Sequence, residues 1–582
     1  MASASDVSAL IRAGRSGEAE QLCRKLLAQR PRDVELLLAH GVALMQMGQA
    51  EAALRPLNKA LREQPGHAGA ANTKGAALER LRRPAEAADA YRLALKSMPV
   101  ADIWFNLGNA CRHAKDEPGA LEAYARAVAL APGRFQFLSA LVGIKRRLCD
   151  WSGLDALTGQ LVAALDDTRD IIDPFRTLAL ETTEAVQQAV ARRWAARFGV
   201  PAPMAPAATA KPRLTIGYLS ADLQQHATAH LMAEFFELHD RARFTVNAYS
   251  TAPDDGSPMR RRLLAAFDCF VDCSHLDAAA IARRMVADGV DIVVDLKGYT
   301  RNAATRVMAY RPAPVQAQWI GYPGTMGAPF IDYVLGDHVV LPDGVQQFYD
   351  EAIVRLPGCY QVNDRKRPRP RTAPSRAELG LPADGLVLAC FNQPYKLRPA
   401  EFDIWMNLLR QVDGAVLWLF SDAGAAEANL RAEAPARGID PGRVVFARRA
   451  EPADHLARYH HVDLFLDTLP YGAHTTASDA LWMGCPVVTM VGETFAGRVG
   501  ASLLHAAGLK RLVTRSPAEY EAAALALLRD GDERAAIRRH LWEDALSLPL
   551  FDTPTTTRAV ERAYGLMWER AVAGLRPEPF DV

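Results

Sequence analysis

The sequence predicts a multidomain protein: an N-terminal α-helical repeat array, followed by two α/β lobes that each contain a doubly wound parallel sheet. Three observations predict this fold class. Proline and alanine recur at steps of 33 or 34 residues over the first 133 residues. A Pro/Ala-rich segment, 201–212, then separates this region from the rest of the chain. After that segment, short apolar runs alternate with helical patterns, as they do in βαβ units.

The repeat period is carried by residues that favour tightly packed helices. Prolines, alanines and glycines share it: Pro31, Pro65, Pro99 and Pro132; Ala19, Ala53, Ala87 and Ala120; Gly41, Gly75 and Gly108. Small residues let helices approach closely, and proline ends a helix. The pattern resembles the tetratricopeptide repeat, with three repeats and a degenerate first copy, Asp6 to Pro31, that acts as a cap. We expect the array's groove to bind a protein partner; a purely structural extension is the alternative.

Composition excludes several classes of protein. A net charge of +1 gives no footprint for a nucleic-acid partner. Eight scattered cysteines without a CxxC pair predict reduced thiols in a cytoplasmic protein. The first residues, Met1 to Asp6, lack the basic and apolar parts of a signal peptide. No apolar run is long enough to span a membrane, so we expect no membrane partner.

The changes in pattern predict the domain boundaries. They are a tetratricopeptide array over 1–133, a helical spacer over 134–200, a linker over 201–212, a first lobe over 213–363, a basic Pro-rich connector over 364–376, and a second lobe with closing helices over 377–582. The linker is the clearest of these boundaries. Predicted strands cover 214–219, 244–249, 267–271, 292–296, 315–320 and 333–335, then 386–391, 416–420, 444–446, 464–466, 487–490 and 512–513.

The residues that follow strands define the search for a site, because ligands bind outside the carboxyl ends of the strands in doubly wound sheets. In the first lobe, the first strand leads into Asp222 and His226. Later strand ends give two glycine-containing turns, 297–300 and 321–325. His226 and His230 are four residues apart, but no third ligand accompanies them, so we expect no metal. A catalytic or substrate role for His226 competes with an ordinary capping role.

In the second lobe, the stretch from Asp463 to Met490 predicts a strand, a loop and a helix. The loop residues His474, Thr475 and Thr476 precede the helix, where free N–H groups and the helix dipole favour phosphate. Capping of the helix by Thr476 or Ser478 is the alternative. Other strand ends add Lys396 and a basic group around His455, and this convergence favours a nucleotide diphosphate.

Seven segments carry a resemblance to a known family: LTIGYLSADLQQHATAHLM, DLKGYT, RPAPVQAQWIGYPGT, CFNQPYK, VLWLF, FLDTLPYGAHTTASDALWMGCPVVTM and GETFAGRVGASLL. They resemble the catalytic region of protein O-GlcNAc transferases, which join tetratricopeptide repeats to a GT-B fold of two Rossmann-like lobes. The similarity covers nearly the whole chain. The short insert between the lobes is more similar to bacterial members than to animal ones.

The resemblance implies an inverting, metal-independent transfer of N-acetylglucosamine from UDP-GlcNAc to Ser or Thr hydroxyls of proteins, with no cofactor. The implied donor contacts are Lys396 and Gln393 on the diphosphate, His474, Thr475 and Thr476 around it, Ala450 and His455 on the uracil, and Asp479 and Arg458 completing the nucleotide pocket. Lys396 would stabilise the departing UDP, and His474 would face the sugar.

In the opposite lobe, the resemblance implies that His226 and Asp222 act as base or electrostatic helper. It places Thr300, Gly321 and Pro323 on the sugar side. Two positions depart from the family. Where animal enzymes carry a His after a Pro before the linker, this chain has Asp173–Arg176 with no His, which shifts weight to His226. Pro452 stands where those enzymes have a Lys near the ribose, so donor affinity or base preference differs.

Two other functions are compatible with the sequence. A related transferase could use another nucleotide sugar, such as GDP-fucose, because a phosphate-binding loop serves either donor. A repeat scaffold with a degenerate, inactive transferase domain is the other alternative, although the intact loop at His474 and the presence of Lys396 argue against decay.

Overall fold

The computed structural model describes residues 4–166, 169–422 and 424–582. Its contacts divide the chain into two compact units, Met1–Lys145 and Arg146–Val582. Among the described residues, no helix is both long and apolar enough to cross a membrane. The expectation that no signal peptide is present concerns Met1 to Asp6, of which residues 1–3 lie outside the described residues.

The first unit is built from helical hairpins, as the repeat period predicts. Its helices are α1 (Ala4–Arg12), α2 (Ser16–Gln29), α3 (Val34–Gln46), α4 (Ala50–Glu63), α5 (Ala68–Arg80), α6 (Pro84–Leu95), α7 (Ala101–His113) and α8 (Glu117–Leu130); α9 (Phe135–Arg147) crosses the boundary between the units. Successive helices from α1 to α8 contact each other. The degenerate first repeat therefore forms a hairpin like the others.

The recurring glycines are explained by packing within each hairpin. A Cβ atom added at Gly75 would lie 2.6 Å from the ring of Tyr91, and one added at Gly108 would lie 2.5 Å from the ring of Tyr124. Both tyrosines are fully buried. A glycine on the first helix thus makes room for the large side chain of the second helix.

The second unit alternates helices with strands. Its helices are α10 (Leu154–Ala164), α11 (Pro174–Thr177), α12 (Glu184–Ala195), α13 (Ala227–Glu237), α14 (Pro258–Ala266), α15 (Ala278–Ala287), α16 (Thr305–Ala309), α17 (Pro399–Gln411), α18 (Gly424–Glu433), α19 (Pro452–Ala457), α20 (Thr475–Trp482), α21 (Phe495–Ala506), α22 (Pro517–Arg529), α23 (Gly531–Glu543) and α24 (Thr553–Val572). Its strands are β1 (Leu214–Ser220), β2 (Phe244–Ser250), β3 (Cys269–Asp272), β4 (Ile292–Asp295), β5 (Val315–Gln318), β6 (Tyr333–Asp337), β7 (Ala352–Leu356), β8 (Val387–Cys390), β9 (Val416–Phe420), β10 (Val444–Ala447), β11 (Leu464–Leu466), β12 (Val487–Met490), β13 (Val513–Thr514) and β14 (Phe580–Asp581).

Both sheets are parallel and doubly wound, which confirms the predicted class of the two lobes. The strand order is β14-β7-β6-β5-β4-β1-β2-β3 in the first sheet and β10-β9-β8-β11-β12-β13 in the second. The order reverses between β1 and β4, where Ile216 pairs with Ile292, and between β8 and β11, where Leu464 pairs with Leu388. Ligands bind at such switch points in open parallel sheets.

The twelve predicted strands are all present, with ends shifted by at most two residues. Their apolar runs reflect burial on both faces, since helices cover each side of a parallel sheet. Every residue of β4, β5, β6 and β8 is buried. The two remaining strands, β7 and β14, were not predicted.

The last helix and strand return to the first sheet. β14 pairs with β7, and α24 contacts α13, β5 and β7. Tyr564 of α24 lies 3.0 Å from the hydroxyl of Tyr218 on β1, and Glu561 accepts from the N–H of Asp240 at 2.8 Å. The predicted division into 213–363 and 377–582 does not include this return, because the sequences of α24 and β14 do not indicate which sheet they pack on.

The predicted linker, 201–212, lies inside the second unit, so the boundary between the compact units differs from the clearest boundary in the sequence. The segment contains no helix or strand. It is nevertheless bonded to the first lobe, since the N–H of Met204 donates to the carbonyl of Tyr310 at 3.0 Å. Lys211 pairs with Asp291 at 2.6 Å. Composition reveals the irregular backbone but not these bonds.

The basic connector, 364–376, is anchored to the second lobe. Arg367 Nη1 donates to Asp479 Oδ1 at 2.7 Å. Arg369 Nε donates to the carbonyl of Trp482 at 2.9 Å, and its guanidinium lies 4.0 Å from the centre of the Trp542 ring. Burial lowers the pKa of Arg369 to about 10. The connector therefore fixes the path of the chain between the lobes.

Candidate functional site

The candidate site lies between the lobes, where the carboxyl ends of β1 and β4 face those of β8 and β11. The loop after β11 packs on the first lobe, because Tyr471 shares a buried apolar cluster with Tyr299 and Tyr322. Phe175 of the spacer reaches the same place, with ring centroids 6.4 Å from Tyr395 and 6.0 Å from Tyr471. Both switch points thus open on one cleft.

Asp222 is the centre of the first-lobe side. It follows β1, and its N–H donates to Ser220 Oγ at 2.9 Å. Lys297 follows β4, and its Nζ donates to the two carboxylate oxygens of Asp222 at 2.8 and 2.7 Å. Only 6% of Asp222 and 5% of Lys297 is exposed. The lysine therefore neutralises a carboxylate that would otherwise be buried without a counter-charge.

His226 stands at the outer edge of this pair. Its Nδ1 accepts from the N–H of Thr228 at 3.2 Å, so the imidazole caps α13, and Nδ1 also lies 3.3 Å from Asp222 Oδ2. The side chain is 44% exposed. Partial burial and the charge of Lys297 lower the pKa of His226, and Asp222 opposes them. The ring that caps α13 is therefore the same ring for which a catalytic role is predicted.

The residues predicted on the sugar side line the turns after β4 and β5. Thr300 Oγ1 donates to the carbonyl of Lys297 at 2.9 Å. A Cβ atom at Gly321 would overlap the carbonyl oxygen of Leu296. Pro323 is buried. The glycine is therefore required by close packing on the end of β4.

A buried glutamate supports the turn after β5. Glu351 is fully buried and accepts from Thr325 Oγ1 at 2.7 Å and from the N–H of Met326 at 2.6 Å. Burial raises the pKa of this carboxyl to about 7, although both hydrogen bonds oppose the shift. Glu351 thus holds the segment that carries Gly321 and Pro323.

Lys396 is the buried cation of the second-lobe side. It ends the turn after β8, and its Nζ donates to the carbonyl of Gly472 at 2.7 Å. The same atom lies 3.6 Å from the centre of the Tyr471 ring. Burial lowers the pKa of Lys396 to about 8, and the charge of Asp467 opposes this shift. An ammonium group held this way is available to an anionic ligand as a point charge.

The predicted phosphate loop ends at α20. Thr476 Oγ1 donates to Asn392 Oδ1 at 2.6 Å, and Asn392 Nδ2 donates to Thr468 Oγ1 at 2.8 Å. The hydroxyl of Ser478 donates to Asn363. Neither hydroxyl caps the helix, and the side chain of His474 does not cap it. The capping alternative is therefore wrong, and the first turn of α20 keeps N–H groups for an anion.

His474 and Thr475 face the space above this helix end, and both are partly exposed. Burial and the neighbouring charge of Lys396 hold the pKa of His474 well below its ordinary value. Its Nε2 lies 3.5 Å from the carbonyl oxygen of Ala496. The ring is thus a neutral imidazole beside a cation, suited to hydrogen bonding rather than to carrying charge.

The residues predicted to hold the nucleotide gather around Asp479. His455 Nε2 lies 3.6 Å from Asp479 Oδ2. Burial alone would raise the pKa of Asp479, but the hydrogen bond from His455 and the charge of Arg367 hold it below its ordinary value. Asp479 therefore orients His455 and anchors the connector. In the first lobe, burial lowers the pKa of His230 on α13, and the charge of Asp479 opposes this shift.

The other predicted nucleotide contacts differ in exposure. Arg458 is buried, and its Nη1 donates to the carbonyl of Arg448 at 3.0 Å, so it supports the loop that carries Ala450. Gln393 is exposed, and its carbonyl accepts from the N–H of Lys396 at 2.9 Å. Ala450 is partly exposed. Arg458 thus acts from beneath the loop rather than from its surface.

The structure brings His226 next to Asp222, Lys396 next to His474, and His455 next to Asp479. Five residues that sequence reasoning missed contact predicted site residues or hold the segments that carry them: Lys297, Glu351, Arg367, Asn392 and Asp467. Lys297, Asn392 and Asp467 each follow a strand at a switch point, and this position was the available signal. Glu351 and Arg367 act through contacts distant in sequence. Among the described residues, no group of three His, Cys, Asp or Glu side chains is arranged to hold a metal ion.

Comparison with known proteins identifies the family of this arrangement. The profile of the family described as Glycosyl transferase family 41 matches residues 148–373 and 366–560. Two tetratricopeptide repeat profiles match residues 10–77 and 73–135. The solved structure of a Thermobaculum terrenum O-GlcNAc transferase mutant is 30% identical and has a TM-score of 0.68, covering 93% of this chain and 98% of that chain. The predicted fold class is confirmed.

Two named relatives are similar over more than two thirds of this chain. The protein named Probable UDP-N-acetylglucosamine–peptide N-acetylglucosaminyltransferase SEC of Arabidopsis thaliana is 35% identical over 430 residues, 71% of this chain and 44% of its own. The UDP-N-acetylglucosamine–peptide N-acetylglucosaminyltransferase of Caenorhabditis elegans is 26% identical over 565 residues, 74% of this chain and 48% of its own. The chain spans about half the length of these relatives.

Proposed function

This chain belongs to glycosyltransferase family 41, and we propose that it transfers N-acetylglucosamine from UDP-GlcNAc to Ser or Thr hydroxyls of proteins. The observation that carries the proposal is the pairing of two switch points across one cleft. Lys396 and the N-terminus of α20 offer positive charge on one side. His226 and the pair of Asp222 and Lys297 stand on the other side. Such a site suits a nucleotide diphosphate donor and a hydroxyl acceptor.

The proposed reaction is a single displacement with inversion. The acceptor oxygen attacks the anomeric carbon while the bond to the β-phosphate breaks and UDP leaves. Lys396 Nζ and the first N–H groups of α20 stabilise the charge that develops on the diphosphate, the kind of electrostatic contribution that is usually the largest. Thr475 and Thr476 hold the phosphates, and neutral His474 hydrogen-bonds at the reacting centre. No metal ion and no cofactor take part in this proposal.

The proposed base is His226. To accept the hydroxyl proton, its Nε2 must be unprotonated, so the ring proton must sit on Nδ1. Asp222 Oδ2 lies 3.3 Å from that atom and can accept the proton's hydrogen bond, in place of the bond between Nδ1 and Thr228. Asp222 is itself paired with Lys297, which makes it an orienting anion rather than the base.

The remaining roles follow the predicted assignments. His455, Ala450 and Gln393 contact the uridine and diphosphate, and Asp479 and Arg458 hold the elements that carry those residues. Thr300, Gly321 and Pro323 line the sugar side. We infer that the helical repeats select protein acceptors, and that the protein works in the cytoplasm. All eight cysteines are free, which supports a reducing compartment.

The test is a screen of nucleotide sugars with detection of the product on protein. Transfer from UDP-GlcNAc to proteins of a whole lysate is the expected result. Thermal-shift titration compares UDP with GDP, and stabilisation by GDP alone would overturn the donor assignment in favour of a donor such as GDP-fucose. Failure to bind either nucleotide would instead favour a repeat scaffold with an inactive domain.

A further inference from the structure

Asp467 is a buried carboxylate directly after β11, and it is 2% exposed. It accepts from the N–H groups of Thr468 and Ala473 at 2.7 and 2.6 Å, and from Thr489 Oγ1 at 2.7 Å. Burial raises the pKa of Asp467, whereas these three hydrogen bonds and the charge of Lys396 favour the ionised carboxylate and oppose that rise.

These bonds fix the loop that leads to α20. One oxygen of Asp467 accepts from both Thr468 and Ala473, so it closes residues 467–473 into a ring-like turn. The closed turn holds the carbonyl of Gly472 where Lys396 Nζ donates to it at 2.7 Å. The other oxygen is enclosed as well, because a Cβ atom at Gly500 would overlap it. Asp467 thus sets the position of the loop relative to Lys396.

Asp467 also supplies charge to Lys396. The titratable groups that face this lysine are Asp467 after β11, Cys390 at the end of β8, His474 before α20 and Tyr471 in the loop. Burial raises the pKa of the Cys390 thiol and of the Tyr471 hydroxyl, and burial and Lys396 lower the pKa of His474. These three groups are neutral near pH 7. Among the described residues that face Lys396, Asp467 is therefore the acidic group whose negative charge raises the pKa of the lysine.

We propose that Asp467 is a positioning residue of the transfer reaction, which shapes the loop before α20 and supplies the negative charge that the buried Lys396 ammonium group needs to bind the departing diphosphate. The inference rests on the proposed function. It concerns a residue that touches neither donor nor acceptor and acts through Lys396 and the loop.

The test is the pH profile of kcat/KM for UDP-GlcNAc in the Asp467→Asn variant. The amide oxygen can still accept from the two N–H groups, and the amide nitrogen can donate to Thr489, so the change removes charge with little change in shape. In the native protein, kcat/KM should decline as the pH rises through about 8, where Lys396 loses its proton. In Asp467→Asn, we expect the midpoint of this decline to lie lower by about one pH unit or more. Activity should recover as the pH is lowered towards 6.5, which a purely structural defect would not do.

Asp337→Asn is the matched control. Asp337 is 1% exposed and is the last residue of β6, where it accepts from the N–H of Val339 at 2.8 Å and of Tyr360 at 2.8 Å. It does not face Lys396. We expect this variant to melt at a lower temperature with an unshifted alkaline limb.

The outcomes separate the two proposals. A native protein that does not use UDP-GlcNAc overturns the proposed function and this inference with it. Native transfer combined with an unshifted limb in Asp467→Asn overturns the inference alone. If Asp467→Asn does not fold, Asp467→Glu keeps the charge and displaces the loop. For Asp467→Glu, we expect a lower kcat/KM at every pH, with the alkaline limb still near pH 8. Native activity of this variant would overturn the positioning role.

Discussion

Nζ of Lys297 lies 2.8 and 2.7 Å from the two carboxylate oxygens of Asp222. The two residues come from neighbouring strand ends of the first sheet, and both are buried. The pair places the charge of Asp222, balanced by Lys297, in the immediate environment of His226. It also ties catalytic geometry to the stability of the first lobe.

Replacing Lys297 with Met should therefore change both stability and pH dependence. The buried carboxylate loses its partner, which costs about 3–5 kcal/mol, and the double variant Lys297→Met/Asp222→Asn should recover most of it. In the single variant, the pKa of His226 rises because Lys297 lowers it in the native protein. The acid limb of kcat/KM should move to higher pH. Melting curves and pH–rate profiles measure the two effects, and an unmoved acid limb contradicts the coupling.

Replacing His226 with Ala should lower kcat by about 10²–10⁴-fold, the usual contribution of a general base. The native acid limb should lie below pH 6.5, because the pKa of His226 is lowered from that value and the ring acts when unprotonated. His338→Ala, at an exposed histidine on the same lobe, serves as control and should retain native turnover. Near-normal kcat in His226→Ala would remove the base assignment.

Replacing Lys396 with Ala should lower kcat by about 10²–10³-fold with the fold intact, the effect expected when one charge-stabilising donor is removed. The melting temperature of the variant should be close to that of the native protein, because a buried ammonium group is costly to desolvate and its removal relieves that cost. The native rate should fall as the pH rises through about 8, where the ammonium loses its proton. Single-turnover kinetics and circular dichroism check both statements. A Lys396→Ala enzyme that is folded and active would contradict the proposed mechanism.

The buried carboxyl of Glu351 should make the second unit less stable as the pH rises. Its pKa is raised from 4.5 to about 7, so the folded state binds more protons than the unfolded state between these values. Stability is then fully present below about pH 4.5 and declines towards pH 7, by about 3 kcal/mol in all. Urea unfolding of native protein and Glu351→Gln at pH 5 and pH 8 measures the effect. Equal pH dependence in the two proteins would exclude it.

The elements that sequence reasoning found share a local signal. Apolar runs predict the strands because parallel strands buried on both faces need apolar side chains along their whole length. The repeat array is predicted because proline, alanine and glycine, such as Gly41, Gly75 and Gly108, recur at steps of 33 or 34 residues. β7 and β14 lack such a signal: Arg355 interrupts the apolar run of β7, and β14 has two residues.

The residues of the candidate site likewise divide into those with a local sequence signal and those without one. Lys396, His474 and His226 could be placed because each follows a predicted strand at a switch point. The partners that set their properties could not, because burial and pairing are tertiary facts. Asp222 and Lys297 are 75 residues apart, as are Asn392 and Asp467. No local pattern indicates that these pairs meet.

The return of α24 and β14 to the first sheet has a consequence for how the chain acquires its structure. β7 and β14 are separated by more than two hundred residues, and the whole second sheet lies between them. During synthesis, β7 remains an unpaired edge strand until β14 has been made. The face of the first sheet that α24 covers stays exposed until α24 has been made. Contacts of such sequence separation slow folding and leave exposed strands open to aggregation in the meantime. The first sheet therefore cannot be completed before the whole second lobe has been synthesised.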